Sequence, residues 1–345
     1  MMKTRHRILE CVPNFSEGRD EKKLEAIAAV IRSVPAVHLL HIDRSPAANR
    51  TVFTFAGEPE AVVEAAFRAT KKAAELINMT EQEGVHPRIG ATDVCPLVPL
   101  YNMSMEEVIQ YSNLLGKRVG EELGIPVYMY EYAARENYRR TLPAIRKGQY
   151  ESFAIKMQDD KWKPDYGPLV FNARTGATVM GARDVLVAFN IALDTRDVSL
   201  ASEIAEKIRE SGYVKTEKGI RRKIQGLLPK VRAIGWYMKD YEIAQVSFNL
   251  LDHRQTSPLQ VWRTCEALAK EAGVALIGSE VIGLIPRECL VEAGQFAVMQ
   301  SGNDTGDTET ILIHHAIALL GLDKLKPFDP QEKVLEYALE KAYAE

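Results

Sequence analysis

A chain of 345 residues with 46% hydrophobic and 26% charged residues has the composition of a globular protein and the length of two domains. Its formal net charge of −3 excludes a general attraction to nucleic acid or to an anionic membrane, so an anionic ligand needs locally placed arginines or lysines. There is no run of ~20 apolar residues for a membrane span, no signal-peptide core and no CxxC pair, which predicts a cytoplasmic protein with reduced thiols.

The first half of the chain shows strands and helices in the order β-α-β-β-α-β. The strands are expected at Ile8–Pro13, Val37–Ile42, Thr51–Phe55 and Val94–Leu100, and the helices from Asp20 and over Glu58–Ile77. A helix over Met105–Leu123 and a strand over Val127–Tyr130 extend this series. The two prolines in the fourth strand are typical of a sheet edge or a strand end. The order is that of ferredoxin-like folds.

The second half repeats the same order of elements. Its strands are expected at Val185–Phe189, Arg232–Met238 and Ala244–Leu250, with a return strand supplied by Val274–Ile277 and Val281–Ile285, and its helices at Ser199–Arg209 and Leu259–Glu271. In each half a strand ends at an asparagine, Asn14 or Asn190, shortly before an Arg-Asp pair and a helix. That likeness alone can be a coincidence of two ordinary turns, but the matching order favours a duplication. We expect an α+β protein with two ferredoxin-like subdomains, residues 1–183 and 184–345, each a sheet with helices on one face.

The segment Lys161–Arg183 joins the two halves and is rich in glycine, proline and small residues. It is too rich in glycine for a stable helix or a central strand. A plain linker would be more polar and less aromatic than Gly167–Phe171. We therefore favour a loop that covers a ligand in a cleft between the subdomains, with a linker as the alternative.

His86 lies in an irregular loop bounded by Gly84 and Gly90, just before an apolar strand. Such loops often carry catalytic groups, and histidine can accept and return a proton near neutral pH. Arg88 and Asp93 could fix its protonation or hold a substrate carboxylate. The alternative is a histidine that only caps the loop.

The other histidines are weaker candidates. His38 and His41 lie three apart on a predicted strand and hence on opposite faces, while His253 is a second candidate for acid–base work. No Cys/His cluster has the spacing of metal ligands, and no GxGxxG or GxxxxGK[ST] motif is present. We expect no bound metal and no nucleotide. An RNA-binding reading of the ferredoxin-like sheet is disfavoured because its central strands do not show the required aromatic residues.

Asn14, Asp43 and Arg50 form a second candidate set, since each lies at the end of a predicted strand. In a split β-α-β sheet such ends can meet at one rim. Arg50 offers two parallel N–H groups to a carboxylate. The alternative is ordinary turn chemistry, since Asn and Asp commonly end strands, and for Asn49 it is the favoured interpretation.

Eight strings of unusual residues lie along the chain: Glu10–Gly18, Asn49–Val52, His86–Arg88, Asp93–Pro96, Thr141–Arg146, Ile234–Tyr237, Gln245–Asp252 and Pro327–Pro330. Together they resemble the sequences of the glutamate formiminotransferase family. The likeness runs from about residue 8 to the carboxyl end without large gaps.

The resemblance implies a homodimer whose two subdomains enclose a folate-binding groove or tunnel. It implies that His86 is the catalytic histidine. Vertebrate relatives carry a cyclodeaminase domain after this part, so here we expect a separate cyclodeaminase. The resemblance also assigns folate contact to a ten-residue folate segment: Gly167, Pro168, Leu169, Val170, Phe171, Asn172, Ala173, Arg174, Thr175 and Gly176.

The expected reaction moves a formimino group from N-formimino-L-glutamate to N5 of tetrahydrofolate, a step of histidine degradation and one-carbon metabolism. His86 would move the proton, Arg50, Arg88 or Arg183 would hold substrate carboxylates, and Asp43 would contact the pterin or orient His86. Two alternatives stay open. One is a glutamate N-formyltransferase that uses 5-formyltetrahydrofolate, and the other is a non-catalytic folate-binding protein.

Overall fold

The computed structural model describes residues 6–217, 220–301 and 308–344, so the basic amino-terminal residues 1–5 lie outside the described part. The chain divides into two compact units, one reaching to Asp184 and one from Val185 to Ala344. Within the described ranges, no helix combines the length and the apolar character needed to span a membrane.

The described part of the first unit contains seven strands and five α-helices. In chain order they are β1 (Ile8–Cys11), β2 (Asn14–Phe15), α1 (Glu21–Arg32), β3 (Val37–Ser45), β4 (Arg50–Gly57), α2 (Pro59–Leu76), β5 (Thr92–Tyr101), α3 (Met105–Leu123), β6 (Val127–Glu131), α4 (Leu142–Arg146), α5 (Gln149–Lys156) and β7 (Thr178–Ala182). Asp20 begins α1 as predicted, because its carboxylate accepts the free N–H groups of Lys22 and Lys23. A capping box between Ser104 and Glu107 begins α3 in the same way.

The strands of the first unit form one sheet. Strand β3 pairs with β4, β4 pairs with β1 and β2, and these two pair with β5, all antiparallel. This is the ferredoxin-like strand order predicted from the sequence. Strands β7 and β6 continue the sheet beyond β5 with parallel pairing. Helices α1, α2 and α3 pack against one face around Phe53 and Phe55, and α4 and α5 cover part of the other face around Tyr128.

Two expectations about this sheet were wrong. Strand β5 lies inside the sheet and not at its edge, although Pro99 is near the end of the strand, as the other alternative predicted. Pro96 is tolerated because it still supplies its carbonyl to Val12 N–H at 3.2 Å, and the pairing with β7 stops at Leu97. The glycine-rich joining segment also supplies a central strand, β7, between β5 and β6. Glycine is required there because a Cβ on Gly181 would lie 2.3 Å from the Tyr130 carbonyl oxygen. The glycine content predicted that no central strand forms here, whereas the glycine allows two strand backbones to approach closely.

The second unit repeats the arrangement with an added hairpin. In chain order it contains β8 (Val187–Leu193), α6 (Val198–Ile208), β9 (Tyr213–Glu217), β10 (Ile220–Ile224), β11 (Val231–Met238), β12 (Ile243–Leu250), α7 (Pro258–Glu271), β13 (Leu276–Ile282), α8 (Arg287–Ser301), α9 (Glu309–Leu320), α10 (Pro330–Lys333) and α11 (Leu335–Ala344). The sheet order β11-β12-β8-β13 is again ferredoxin-like, and β9 and β10 pair with each other in a separate two-stranded sheet. Asn190 lies inside β8 rather than at its end, since pairing with β12 and β13 continues to Leu193.

Candidate active site

A row of paired residues crosses the sheet of the first unit. Asp43 of β3 and Asn14 of β2 both pair with Val52 of β4, and Asn14 also pairs with Val94 of β5. Paired residues of neighbouring strands point to the same face. This face is opposite to the one covered by α1, α2 and α3, whose core contains Phe53 and Phe55. The sheet therefore brings Asn14, Asp43 and Arg50 to one face.

A β-bulge places Asp93 beside this row. Asn14 pairs with Val94 and Phe15 pairs with Thr92, so Asp93 is the extra residue of β5. Its buried carboxylate accepts the N–H of Ile89 at 2.9 Å. The same carboxylate forms an ion pair with Arg146, the last residue of α4, whose Nη2 and Nε both donate to it.

Arg50 is held in the site without a direct ion pair to a carboxylate of the described residues. Its Nη2 donates to Asn14 Oδ1, while its Nε is buried and has no hydrogen-bond partner. Burial, and then the charge of Arg146, lower the pKa of Arg50 to about 10, against the opposing effect of Asp93 and Asp43. A guanidinium group with an unpartnered N–H in a buried position favours the arrival of an anion.

The ring of His86 is partly buried and has a defined tautomer. Its Nδ1 lies 2.8 Å from the carbonyl oxygen of Pro87. A carbonyl oxygen only accepts, so Nδ1 carries the proton and the neutral ring keeps a lone pair on Nε2. Burial, followed by the charges of Arg50 and Arg146, holds the pKa of His86 well below its ordinary value of 6.5. His86 is therefore a neutral base at physiological pH.

Arg88 stabilises the loop of His86 and has no N–H group to spare. Its Nε and Nη2 donate to the side chain and carbonyl of Gln82, and both Nη atoms donate to Glu151 at 2.7 and 3.0 Å. The fifth N–H faces the side-chain oxygen of Gln149 at 3.5 Å. Arg88 thus ties the loop to α5, and a substrate carboxylate would have to displace Glu151 or Gln82.

The end of the folate segment is joined to the loop of His86. Gly90 and Gly176 form a β-bridge, Ala91 N–H donates to Thr175 O at 2.8 Å, and Ala177 N–H donates to Ile89 O at 3.0 Å. The start of the segment is different, because the side chains of Leu169 and Val170 are 59% and 74% exposed. The structure therefore places an exposed apolar pair on a segment anchored beside His86.

The remaining candidates lie in other surroundings. Arg183 donates to the carbonyl of Asp184. Its charge lowers the pKa of Tyr130 and of Cys11, against the larger raising effect of burial. His253 belongs to the second unit, where its Nε2 lies 2.6 Å from a Glu288 oxygen. Within the described ranges, no group of three His, Cys, Asp or Glu side chains is arranged to hold a metal ion.

The prediction that His38 and His41 lie on opposite faces was wrong. A bulge at Leu40 shifts the register, so His38 pairs with Ala56 and His41 pairs with Thr54 of the same face. His41 Nε2 lies 3.7 Å from Asp43 Oδ2 on that face. The alternation rule failed because it assumes an unbroken strand.

Arg146, the residue that pairs with Asp93, was not among the site residues predicted from the sequence. In the sequence it is the last residue of the string Thr141–Arg146. A short helix with proline at its start and an arginine at its end carries no specific signal. Only the fold brings α4, 53 residues further along the chain, against the bulge of β5.

Comparisons with known proteins agree on one family. Residues 8–183 match the formiminotransferase domain, N-terminal subdomain, and residues 188–340 match the formiminotransferase domain. The chain is 39% identical to glutamate formimidoyltransferase of Streptococcus pyogenes serotype M1, covering 84% of this chain and 93% of that protein. It is also 39% identical to the protein of that name from Thermoplasma acidophilum, covering 87% and 95%. The formimidoyltransferase-cyclodeaminase of Gallus gallus is 43% identical over 97% of this chain, which spans 60% of its length.

Proposed function

Because the chain belongs to the formiminotransferase family, we propose that it transfers the formimino group from N-formimino-L-glutamate to N5 of tetrahydrofolate. The products are 5-formiminotetrahydrofolate and glutamate. Two observations support the proposal together: a neutral histidine whose Nε2 keeps a lone pair for a proton, and an arginine with a buried, unpartnered N–H and no direct ion pair among the described residues.

His86 is the base and then the acid of the reaction. N5 attacks the formimino carbon and forms a tetrahedral intermediate, in which the new N5–C bond and the old bond to the glutamate nitrogen coexist. Nε2 of His86 takes the proton that N5 loses and delivers one to the glutamate nitrogen. The bond to that nitrogen then breaks, and glutamate leaves as an amine. A positioned acid–base group of this kind contributes roughly 10²–10⁴ in rate.

Arg50 is the proposed holder of a substrate carboxylate. Three arginines were considered from the sequence. All N–H groups of Arg88 donate to Gln82, Gln149 and Glu151. The charge of Arg183 lowers the pKa of Tyr130 and of Cys11, which are not candidate site residues. Arg50 donates a hydrogen bond to Asn14, and its charge contributes to the lowered pKa of His86. Asp43, whose charge acts on Arg50, is proposed to orient this guanidinium group or to contact the pterin.

The folate segment supplies an apolar contact surface. Leu169 and Val170 are exposed large hydrophobic residues, and the flat aromatic part of a folate is a suitable partner for them. The segment is fixed on one side by Phe171, which packs against Tyr150 and Phe153. We assign folate contact to Gly167–Gly176 on this basis and on the family resemblance.

The test compares wild type, His86→Ala and His314→Ala in single-turnover transfer at saturating tetrahydrofolate. His314 is an exposed histidine of α9 in the second unit, so its variant is the matched control. We expect a loss of roughly 10²-fold or more for His86→Ala and no loss for the control. A loss below tenfold, with tetrahydrofolate binding unchanged, would remove His86 from the chemistry.

The donor is tested with the same wild-type protein. N-formiminoglutamate with tetrahydrofolate is expected to give turnover, and 5-formyltetrahydrofolate with glutamate is expected to give less. The reverse preference would establish the formyl reaction instead, and tight folate binding without turnover of either donor would indicate a binding protein. A homodimeric state and a cytoplasmic location stay predictions from the resemblance and the composition, which light scattering and cell fractionation test.

A further inference from the structure

Three consecutive residues at the start of α5 contact the loop of His86. The backbone N–H of Tyr150 donates to the carbonyl oxygen of Arg88 at 2.9 Å, and the side chains of Gln149 and Glu151 accept from the guanidinium group of Arg88. Arg88 follows His86 by two residues along the chain. The first turn of α5 is therefore fixed to the backbone that carries the proposed acid–base residue.

The side chain of Tyr150 extends from this turn to the folate segment. Its hydroxyl group donates to the carbonyl oxygen of Ala173 at 2.5 Å. Its ring centroid lies 5.4 Å from that of Phe171, whose centroid also lies 6.3 Å from that of Phe153 in the same helix. A tyrosine ring is rigid and has two side-chain torsions, so the N–H and the hydroxyl of Tyr150 hold their two partners at a defined separation. One residue thus joins the folate segment to the loop of His86.

The two ends of the folate segment have close contacts of their own, whereas its middle is exposed. At its start, a Cβ on Gly167 would lie 2.4 Å from a backbone carbonyl oxygen, and at its end Gly176 takes part in a β-bridge. The side chains of Leu169 and Val170 between these ends are exposed. A loop that is held at both ends keeps freedom in its middle unless side chains fix it there. The contacts from Tyr150 therefore fix the part of the segment that presents the two apolar side chains.

We propose that Tyr150 is a positioning residue of the transfer reaction, which holds the folate segment against the loop of His86 so that the exposed apolar side chains are in place to contact tetrahydrofolate. Tyr150 acts through the segment and not on the reacting atoms. This inference rests on the proposed function, since it takes tetrahydrofolate as the ligand of the segment. It assigns Tyr150 to folate binding and leaves the proton transfer to His86.

The expected effect is on the affinity for tetrahydrofolate and not on the rate at saturation. A ligand binds the molecules in which its contact surface is in place, so the apparent dissociation constant rises as the fraction of such molecules falls. Loss of one neutral hydrogen bond shifts an equilibrium of this kind by about fivefold. Once tetrahydrofolate is bound the segment is in place, and the proton transfer at His86 proceeds as in the wild type.

The test is Tyr150→Phe, which removes the bond to Ala173 and keeps both the ring and the backbone N–H. Its matched control is Tyr138→Phe, because the Tyr138 hydroxyl donates to the carbonyl of Lys161, which like Ala173 lies 23 residues further along the chain than its donor. For Tyr150→Phe we expect a Kd for tetrahydrofolate about threefold above wild type by isothermal titration calorimetry. The single-turnover rate at saturating tetrahydrofolate and the KM for N-formiminoglutamate are expected to stay at their wild-type values. The control is expected to keep all three quantities unchanged.

Hydrogen exchange in the ligand-free protein separates positioning from general damage. The side-chain oxygen of Asn172 accepts the N–H groups of Arg174 and Thr175 at 3.1 and 3.2 Å, so these two amides report on the middle of the segment. We expect them to exchange faster in Tyr150→Phe and at the wild-type rate in Tyr138→Phe. A general structural defect would instead lower the melting temperature and the rate at saturation together.

A rise in Kd of less than about twofold, an equal rise in Tyr138→Phe, or a reduced rate at saturation with an unchanged Kd overturns the inference. The proposed function is judged separately. Weaker tetrahydrofolate binding in Tyr150→Phe, together with no formimino transfer in wild type, rejects the reaction and keeps the positioning role. Formimino transfer in wild type with equal Kd values in the two proteins keeps the reaction and rejects the role of Tyr150.

Discussion

Replacement of Gly90 by alanine tests whether the folate segment and the loop of His86 act as one piece. A Cβ on Gly90 would lie 2.1 Å from the carbonyl oxygen of Ala177 and 2.7 Å from that of Thr175, whereas ordinary contact begins at 3.4 Å. Both obstacles are backbone atoms, which cannot rotate away as a side chain can. The two segments therefore have to separate by roughly 1 Å.

This separation has an effect on stability and a larger one on rate. Overpacking of a buried contact costs about 1–3 kcal/mol in the free energy of unfolding. A displacement of about 1 Å at a catalytic group costs roughly 10²-fold in rate, because the reacting atoms lose their near-attack geometry. We expect Gly90→Ala to fold with a lowered urea midpoint and to transfer the formimino group roughly 10²-fold more slowly in a single turnover.

The control is Gly273→Ala, in the turn after α7. Gly273 has a φ of +73° and no atom near its Cβ position, so its replacement strains the backbone without pushing two segments apart. We expect a loss of about 1 kcal/mol in unfolding free energy and a wild-type rate. A Gly90→Ala protein that turns over within threefold of wild type would refute the coupling between the two segments.

Three further outcomes follow from the contacts described. Arg88→Met is expected to lower the unfolding free energy by about 1–3 kcal/mol, because it leaves the buried Gln82 side chain and carbonyl without their donors. Glu25→Gln in an exposed pair is expected to change it by less than about 1 kcal/mol, and urea denaturation measures both. The pKa of His86 is lowered on folding, so below pH 6.5 the unfolded chain binds a proton that the folded chain does not, and the free energy of unfolding decreases as the pH falls. His86→Phe is expected to reduce this dependence of unfolding free energy on pH. Equal slopes of unfolding free energy against pH in the variant and the wild type would contradict the lowered pKa. Ser104→Ala removes the capping box with Glu107 and is expected to cost about 1 kcal/mol, measured by the thermal midpoint.

The arrangement of elements could be predicted because local patterns agree with the global fold. Asp20 begins a helix whose apolar residues recur at helical spacing, and the same holds for Asp197 in the second unit. The strand order then follows from a split β-α-β series that has few competing solutions. The sequence also indicated that Asn14, Asp43 and Arg50 can meet at one rim, and the register across β4 brings them to one face.

What could not be predicted depends on contacts between distant segments. The bulges at Leu40 and Asp93 change the face of the sheet on which the following side chains lie, and a leucine or an aspartate in a strand does not predict a bulge. Strand β7 was not predicted because a glycine such as Gly181 usually interrupts a strand. Here the glycine is needed, since the Tyr130 carbonyl oxygen of the neighbouring strand leaves no room for a Cβ. Arg146 was missed for the same reason, since its partner lies 53 residues earlier in the chain.

The two ferredoxin-like units differ in the connection that carries the candidate catalytic histidine. Asn14 of β2 and Asn190 of β8 each pair with the two neighbouring strands of their own sheet. Asn14 accepts from Arg50, whereas Asn190 donates to Glu280 at 3.4 Å. The connections differ more than the strands do. Between the second helix and the last strand, the first copy has residues 77–91 and the second has residues 272–275. Connections of two to six residues are ordinary, and longer ones in a compact domain usually serve a function. The loop that carries His86 is thus the long connection of one copy. The acid–base chemistry of the proposed reaction therefore depends on a feature that the second ferredoxin-like unit does not share.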